Sequence, residues 1–489
     1  MHRITADKGT TKFIEEDNQP GESIHCSNYL FLSAFIPLIP VQMFFIVLMF
    51  AVIHRYDTVA RSASTRITPH RNTALSKPAK HPQAPAALHY GWVIVALGFL
   101  IIFACIGLAR YAYTMLLPSM QAGLGLPYDR MGFIGAGNFC GYLLAVVLAP
   151  RMIRRFKPRA VISGGLVLIT MALFGVGASH GFIMPLALYF LIGMGTGFAN
   201  IPTMVLISYW FRSDQRGKAA GLMIGGNGAA IVLAGILVPL LNRSFGAAGW
   251  RIGWLMIGSV ALVVTVLATW LVRNHPSDMG LEPLGRATAP TPDQMIPREH
   301  KGDGILLARL GLLYLAFGAT FMVYGTFIVT TMVREYGFSE AKAGIYWSWA
   351  GFCSLFSGVA FGMLSDRIGR KNGLALVFAV QSAAYLLAGL KPGGIGLMIS
   401  IALYGSAVFA IPAIMAAAVG DYLGLSRAAT AFSTITIFFA AGQTVGPALA
   451  GMIGKISGSF TTAYLLAALV TCSALIFALF LPKPGSKSA

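Results

Sequence analysis

Gly362-Met363-Leu364-Ser365-Asp366-Arg367-Ile368-Gly369-Arg370-Lys371 places one acid and three bases between two long apolar runs. No soluble domain fits in so short a connection. The stretch therefore reads as a charged turn joining two membrane helices, and the rest of the chain can be read outward from it.

Of the 489 residues, 56% are apolar and only 11% charged, with a mean hydropathy of +0.72. Soluble domains carry about a quarter charged residues, so this composition belongs in a bilayer. Lipid offers no partner to an open backbone, which leaves helices of about 20 apolar residues or closed barrels. Barrel strands would alternate apolar and polar residues, whereas the runs here are unbroken. The expected fold is an all-α integral membrane protein. The formal charge of +19 could point to nucleic acid, but the bases sit in short turns between apolar runs, a pattern of membrane topology. Cys26, Cys105, Cys140, Cys353 and Cys472 stand singly, so neither a disulfide frame nor a metal site is expected, and no cofactor is implied.

Twelve core spans are predicted, at 92–118, 131–150, 160–179, 182–209, 219–241 and 252–272, then 305–333, 344–364, 373–390, 394–419, 429–454 and 461–481. They divide the chain into a leader (1–88), a six-helix bundle (89–272), a proline-rich polar linker (273–304), a second six-helix bundle (305–482) and a tail (483–489). Assigning the turns alternately to two sides gives 19 Lys and Arg on the side of the Asp366 turn and seven on the other. Positive charge collects in the cytoplasm, so both ends of the core are expected inside. The seven tryptophans fall near span ends, where headgroup anchoring is their ordinary role.

The halves repeat. Gly125-Leu126-Pro127-Tyr128-Asp129-Arg130-Met131-Gly132 parallels Gly337 to Gly344 at an offset of 212, and Leu148 to Arg155 parallels Leu364 to Lys371 at an offset of 216. Such repeats imply two bundles related by pseudo-symmetry with a solute site between them near the midplane.

The run from Gly362 to Lys371 resembles the signature loop of the major facilitator superfamily of secondary transporters, with every signature position filled. Arg110-Tyr111-Ala112-Tyr113-Thr114 with Leu117-Pro118 is similar to the bacterial YbfB/YjiJ-type branch. The resemblance covers about 90–485. It implies twelve core helices in two pseudo-symmetric bundles, alternating access by rocking of those bundles, and a small-molecule solute, with the bacterial inner membrane as location. It also implies a conformational latch of Gly362, Asp366, Arg367, Gly369, Arg370 and Lys371. In it, Asp366 meets the N-terminus of the fifth core helix near Arg216 and Lys218, whose partial positive charge and free N–H groups favour a carboxylate. The reading that these charges only mark a cytoplasmic turn stands beside it. At the 216 offset, Pro150 takes the place of the acid in the first half, so a matching latch is not expected there.

Arg110 is the one Asp, Glu, Lys or Arg well inside a core span. A buried arginine at the membrane centre costs at least about 2.5 kcal/mol, so it needs an anion, carbonyls or water. An organic anion would satisfy it, with Tyr113 and Thr114 on the same helix face. Snorkelling of Arg110 toward the headgroups is the competing account. Asn138, Asn200, Asn227, Tyr324, Tyr404 and Gln443 are the other intramembrane polar groups, each suited either to a central cavity or to tying helices together. No acid lies in a core span, so coupling through a membrane carboxylate has no support. Gly221, Gly225, Gly442 and Gly446 read as close-packing positions.

A secondary transporter of a small polar or organic anionic solute, acting as a monomer in the lipid bilayer without nucleic acid, is the resulting expectation. An exporter of amphipathic compounds and a membrane sensor that binds without transporting are the alternatives. No triad, paired carboxylates or Gly-x4-Gly-Lys-Ser/Thr loop supports an enzyme. In the leader, Tyr29 to Ile53 is apolar enough for an extra helix, kinked at Pro37 and Pro40. A start codon placed too far upstream explains the same residues equally well.

Overall fold

The computed structural model describes residues 89–285, 303–423 and 425–482. The leader, with the extra helix expected over 29–53, and the second part of the linker lie outside the described residues.

Among the described residues, ten stretches are long and apolar enough to cross a membrane, and two of them hold two passes each, which makes twelve. Helix α1 covers Tyr90–Leu124. The continuous stretch Tyr128–Gly177 is kinked at Lys157 into α2 (128–156) and α3 (158–177). Then come α4 (Ile183–Trp210), α5 (Ser213–Phe245) and α6 (Gly249–Leu271). The second half comprises α7 (Asp303–Arg334), α8 (Glu340–Ile368), α9 (Arg370–Leu390), α10 (Gly393–Leu423), α11 (Leu425–Ser457) and α12 (Thr461–Leu479). The helices overrun the apolar stretches because backbone groups stay paired past the point where side chains turn polar. Exposed leucines, valines and isoleucines such as Leu262, Val266, Ile395 and Leu469 clothe the outside, where lipid tails take the place of a core.

Backbone conformation reveals the symmetry more directly than residue identity. Left-handed residues recur in pairs separated by 212: Gly125 with Gly337, Lys157 with Gly369, Gly181 with Gly393, and Gly246 with Gly458. Each pair marks a corresponding turn. The two halves therefore match turn for turn, as two pseudo-symmetric six-helix bundles of the major facilitator fold.

This constant spacing corrects the loop alignment. Lys157 (φ 64°, ψ 157°) and Gly369 (φ 90°, ψ 150°) hold the same unusual conformation, so the offset is 212 here as well, and the counterpart of Asp366 is Arg154 rather than Pro150. A base replaces the acid in the first copy. The backbone there is one that glycine adopts freely and a lysine only at a cost of about 1–3 kcal/mol.

Two seams join the bundles, and they obey the same symmetry. Where α2 meets α11, a methyl on Gly132 would lie 2.6 Å from the Pro447 carbonyl oxygen and 3.1 Å from Gly451 Cα. Where α8 meets α5, a methyl on Gly344 would collide with the Gly235 carbonyl oxygen and lie 2.8 Å from Pro239 Cγ. Shifting 132, 235 and 239 by 212 gives 344, 447 and 451, so the seams are copies of one another. Polar pairs close the same end: Lys455 Nζ to Asp129 at 2.9 Å, and Asn242 Nδ2 donating to Glu340 at 2.7 Å.

Several local departures from ideal helix matter for the site. Phe103–Tyr111 within α1 is wound as a π-helix. Helix α10 is interrupted between Ala407 and Ala410, where the Phe409 N–H donates to Ser357 Oγ at 3.1 Å on α8. The described start of the linker is pinned to the end of α4: Leu284 bridges Phe211, Arg212 pairs with Glu282 at 2.9 Å, and His275 stacks on Tyr209 at 4.6 Å. Trp210, Trp250, Trp254 and Trp347 are fully buried within the protein, whereas Trp270 and Trp349 are exposed. Headgroup anchoring thus fits the latter two and not the former four.

Candidate functional site

Where α1, α2, α4 and α7 converge, a cavity is lined by Arg110, Tyr111, Tyr113, Thr114, Gly135, Asn138, Phe139, Tyr189, Met322, Gly325 and Thr326. Its free space is about 10 Å³, room for about one water molecule. Arg110 and Met322, Tyr113 and Gly325, and Thr114 and Thr326 are all separated by 212, so the cavity lies on the pseudo-two-fold relation between the halves.

Arg110 does not snorkel. It is 8% exposed, its Nε donates to Asn138 Oδ1 at 3.1 Å, and its guanidinium carbon lies 4.9 Å from the ring centres of both Phe139 and Tyr142. Its Nη2 is buried without a hydrogen-bond partner. Two aromatic faces recover part of the desolvation cost, at about 2 kcal/mol or more each when water is excluded. They supply no acceptor for the remaining N–H groups, and no carboxylate lines the cavity.

The winding of α1 fixes that side chain in place. A π-helix shifts hydrogen bonds from i→i+4 to i→i+5, and such segments recur at functional sites. Here α4 supplies hydroxyls to the carbonyls of the loosened turn. Tyr189 donates to Ala109 O at 3.1 Å and Arg110 O at 3.3 Å, and Thr196 donates to Cys105 O at 2.8 Å. Asn138 completes the brace, its Nδ2 donating to Tyr189 O at 3.2 Å. Tyr113 donates to Met131 O at 2.7 Å and packs against Tyr189 with ring centres 4.8 Å apart. Thr114 is the crossing contact, donating its hydroxyl to the Gly325 carbonyl of the other half.

The remaining polar candidates lie elsewhere. Tyr324 bonds Ser400 Oγ at 2.7 Å and stacks on Tyr404 at 4.4 Å, while Tyr404 donates to Phe321 O at 3.2 Å, so both tie helices within the second bundle. Asn227 and Gln443 are buried on α5 and α11, each with an unpartnered side-chain oxygen, and Asn200 faces the Tyr142 hydroxyl. None of these five lines the cavity. Conversely, Phe139, Tyr142, Tyr189 and Met322 belong to the site without having been singled out from sequence. Phe139 and Tyr142 lie one and four positions after Asn138, and Met322 is the 212-shifted partner of Arg110, signals available once the helix register is known.

At the other end of the molecule the described contacts of the latch residues lie within their own half. Asp366 pairs with Arg370, which also donates to Asp421 at 2.6 Å and Ser365 Oγ at 2.8 Å. Lys371 donates to Leu479 O at 3.2 Å, Arg367 is exposed, and the Gly362 carbonyl accepts from Ser365. Arg216 bonds Phe211 O at 2.9 Å and Ser208 O at 3.2 Å, and Lys218 Nζ lies 5.3 Å from the Trp92 ring centre. In this conformation the described partner of Asp366 is thus Arg370, on its own half.

Among solved structures, the chain is similar to a bacterial homologue of the human lysosomal transporter Spinster in an inward-facing, unoccupied conformation. The TM-score is 0.62 at 15% identity, over 81% of this chain and 96% of that one. It is similar also to the nucleoside transporter NupG, with TM-score 0.63 at 13% identity, over 81% and 100%. At these identities the likeness shows the fold alone. Among curated proteins it is 23% identical to the hexuronate transporter of Bacillus subtilis (strain 168) over 74% of this chain and 87% of the relative. It is 22% identical to monocarboxylate transporter 2 of Homo sapiens over 82% and 86%. The family model described as "Uncharacterised MFS-type transporter YbfB" matches residues 102–480, well over half the chain. Twelve membrane helices in matched bundles, a polar cavity on their symmetry relation and this family match together place the chain in the YbfB-type family of major facilitator transporters.

Proposed function

We propose that this protein carries a small organic anion across the bacterial inner membrane by alternating access, with Arg110 as the residue that binds the anion. One observation carries the reading: a guanidinium buried between two aromatic rings, with Nη2 unpartnered, faces a cavity shared by both bundles and lined by no carboxylate. A carboxylate or phosphate supplies the acceptor that Nη2 lacks. Tyr113, Thr114 and Asn138 shape the remainder of the site. The solutes named for curated relatives, hexuronate, monocarboxylate and hexose phosphate, share an anionic group and support the same class.

The distribution of Lys and Arg supports a cytoplasmic position for the Asp366 turn, and hence for both ends of the core. With the seams at the Asp129 and Glu340 end packed shut and Asp366 paired locally, the conformation fits a carrier closed to the outside. In the opposite state Asp366 would reach the N-terminus of α5 beside Arg216 and Lys218, while Gly362, Arg367, Gly369, Arg370 and Lys371 hold the turn that presents it.

Reconstituted protein tests the proposal. Proteoliposomes should accumulate at least one labelled probe among lactate, glucuronate and glucose 6-phosphate, and Arg110→Gln should abolish that uptake while keeping its melting temperature within a few degrees. Uptake of a neutral solute that survives Arg110→Gln would refute it and favour an exporter of amphipathic compounds. Binding without flux would favour a sensor.

A further inference from the structure

The halves match in backbone but not in chemistry at the site. Arg110, Asn138 and Tyr189 form the polar wall, and the residues 212 positions later are Met322, Ala350 and Ile401, all apolar. Met322 lines the cavity opposite Arg110. We infer that the solute is a monocarboxylate with a short apolar tail, its carboxylate held by the first bundle on Arg110 and its tail lying against Met322 of the second. This rests on the anion reading above and narrows it.

Three features point this way. Arg110 is the single cation among the lining residues and already spends Nε on Asn138, so a second negative charge would be desolvated without a partner. The second bundle contributes Met322, Gly325 and Thr326, of which Thr326 brings the only side-chain hydroxyl, too few to pair the ring of hydroxyls on a sugar acid. The Gly325 carbonyl is already occupied by Thr114. A methionine is also the side chain best able to give way and re-form around tails of differing length, which suits a cavity that now holds about 10 Å³.

The arrangement divides the labour of transport. Every described contact of the Arg110 guanidinium lies in the first bundle, on Asn138, Phe139 and Tyr142, so the charged head travels with that bundle. The second bundle needs only to slide along an apolar tail.

The test uses purified full-length protein in detergent, with binding read by calorimetry and by thermal shift. The probes are acetate, propionate, butyrate and hexanoate, set against gluconate, glucuronate and succinate. The expected result is an affinity that rises up to about fourfold for each added methylene over the first steps. Hexanoate should bind at least about tenfold more tightly than gluconate, and every signal should vanish in Arg110→Gln. In Met322→Gln the chain-length series should flatten, the advantage of hexanoate over acetate shrinking to within about twofold. If that variant does not fold, the wild-type series decides by itself. Equal or tighter binding of glucuronate or succinate that still depends on Arg110 would overturn this inference and leave the anion reading intact. A flat series among the monocarboxylates would do the same. Absence of binding by every carboxylate would sink this inference, and if glucose 6-phosphate also failed to bind, the anion reading with it.

Discussion

A single added methyl at Gly344 should change which way the transporter faces while leaving each bundle folded. In the present conformation that methyl would run into the Gly235 carbonyl oxygen and lie 2.8 Å from Pro239 Cγ, atoms belonging to the other bundle. Rigid backbone cannot yield locally, and overpacking of this kind costs about 1–3 kcal/mol. The bundles can escape that cost by parting at this seam. The equilibrium between this conformation and one open at the Glu340 end should then move about 5-fold to 150-fold toward the open form, a factor of ten per 1.4 kcal/mol. Ile231, 3% exposed and packed under the same seam against Gly351, provides a reporter. In a background with the five native cysteines replaced, Ile231→Cys should react slowly with a membrane-impermeant maleimide added from the Glu340 side, and at least about fivefold faster once Gly344→Ala is present. Gly165→Ala is the control. Its methyl would lie 2.7 Å from Gly195 O and 2.8 Å from Ala199 N, a comparable clash between α3 and α4 of one bundle. It should lower the melting temperature without altering labelling. If Gly344→Ala behaved like Gly165→Ala, with stability lost and labelling unchanged, the idea that this seam separates when the molecule changes state would be wrong.

Asp129→Asn removes the acid paired with Lys455 at the same end, but Lys455 is 54% exposed and such pairs contribute about 0–1 kcal/mol, so labelling at Ile231→Cys should rise by less than about fivefold. An increase larger than that of Gly344→Ala would make charge, not packing, the main closure. Asp366→Asn should favour the present conformation, since the pair with Arg370 is an exposed i,i+4 contact of little weight and the acid's proposed target on α5 is met only in the other state. Labelling from the Glu340 side should fall, and an unchanged rate would remove Asp366 from any latch. Lys157→Gly should stabilise the protein by about 1 kcal/mol, read as a higher melting temperature, because glycine adopts φ 64° and ψ 157° without strain. A lower melting temperature would mean that the lysine side chain contributes more than its backbone costs.

The twelve passes were legible because each must supply its own run of apolar residues. The 212 spacing was legible where both copies use glycine, at Gly125 and Gly337. It was hidden at Lys157 and Gly369, because a lysine forced into a glycine conformation leaves no mark in the sequence. Aligning like charges instead gave a spacing of 216 and the wrong counterpart for Asp366. Within the site, Arg110, Tyr113, Thr114 and Asn138 could be named because ionisable and polar groups are costly in a membrane. Phe139, Tyr142 and Tyr189 could not be, since an aromatic residue in an apolar run is unremarkable until helix rotation sets it over a guanidinium. Tyr324 and Tyr404 have the same composition signal as Tyr113, yet their hydroxyls are taken up by Ser400 and the Phe321 carbonyl.

The π-wound stretch from Phe103 to Tyr111 has no equivalent in α7, which is α-helical from Asp303 to Arg334. Tightening it by one residue to ordinary pitch would turn one end of α1 against the other by about 100°. The guanidinium would swing off its ledge between Phe139 and Tyr142, and the hydroxyls of Tyr189 and Thr196 would lose the carbonyls they now grip. Those two hydroxyls hold the loosened turn at the carbonyls of Cys105, Ala109 and Arg110. In a carrier that holds its anion on Arg110 as proposed, such a twist of one strut would free the cargo ahead of any swing of the larger frame.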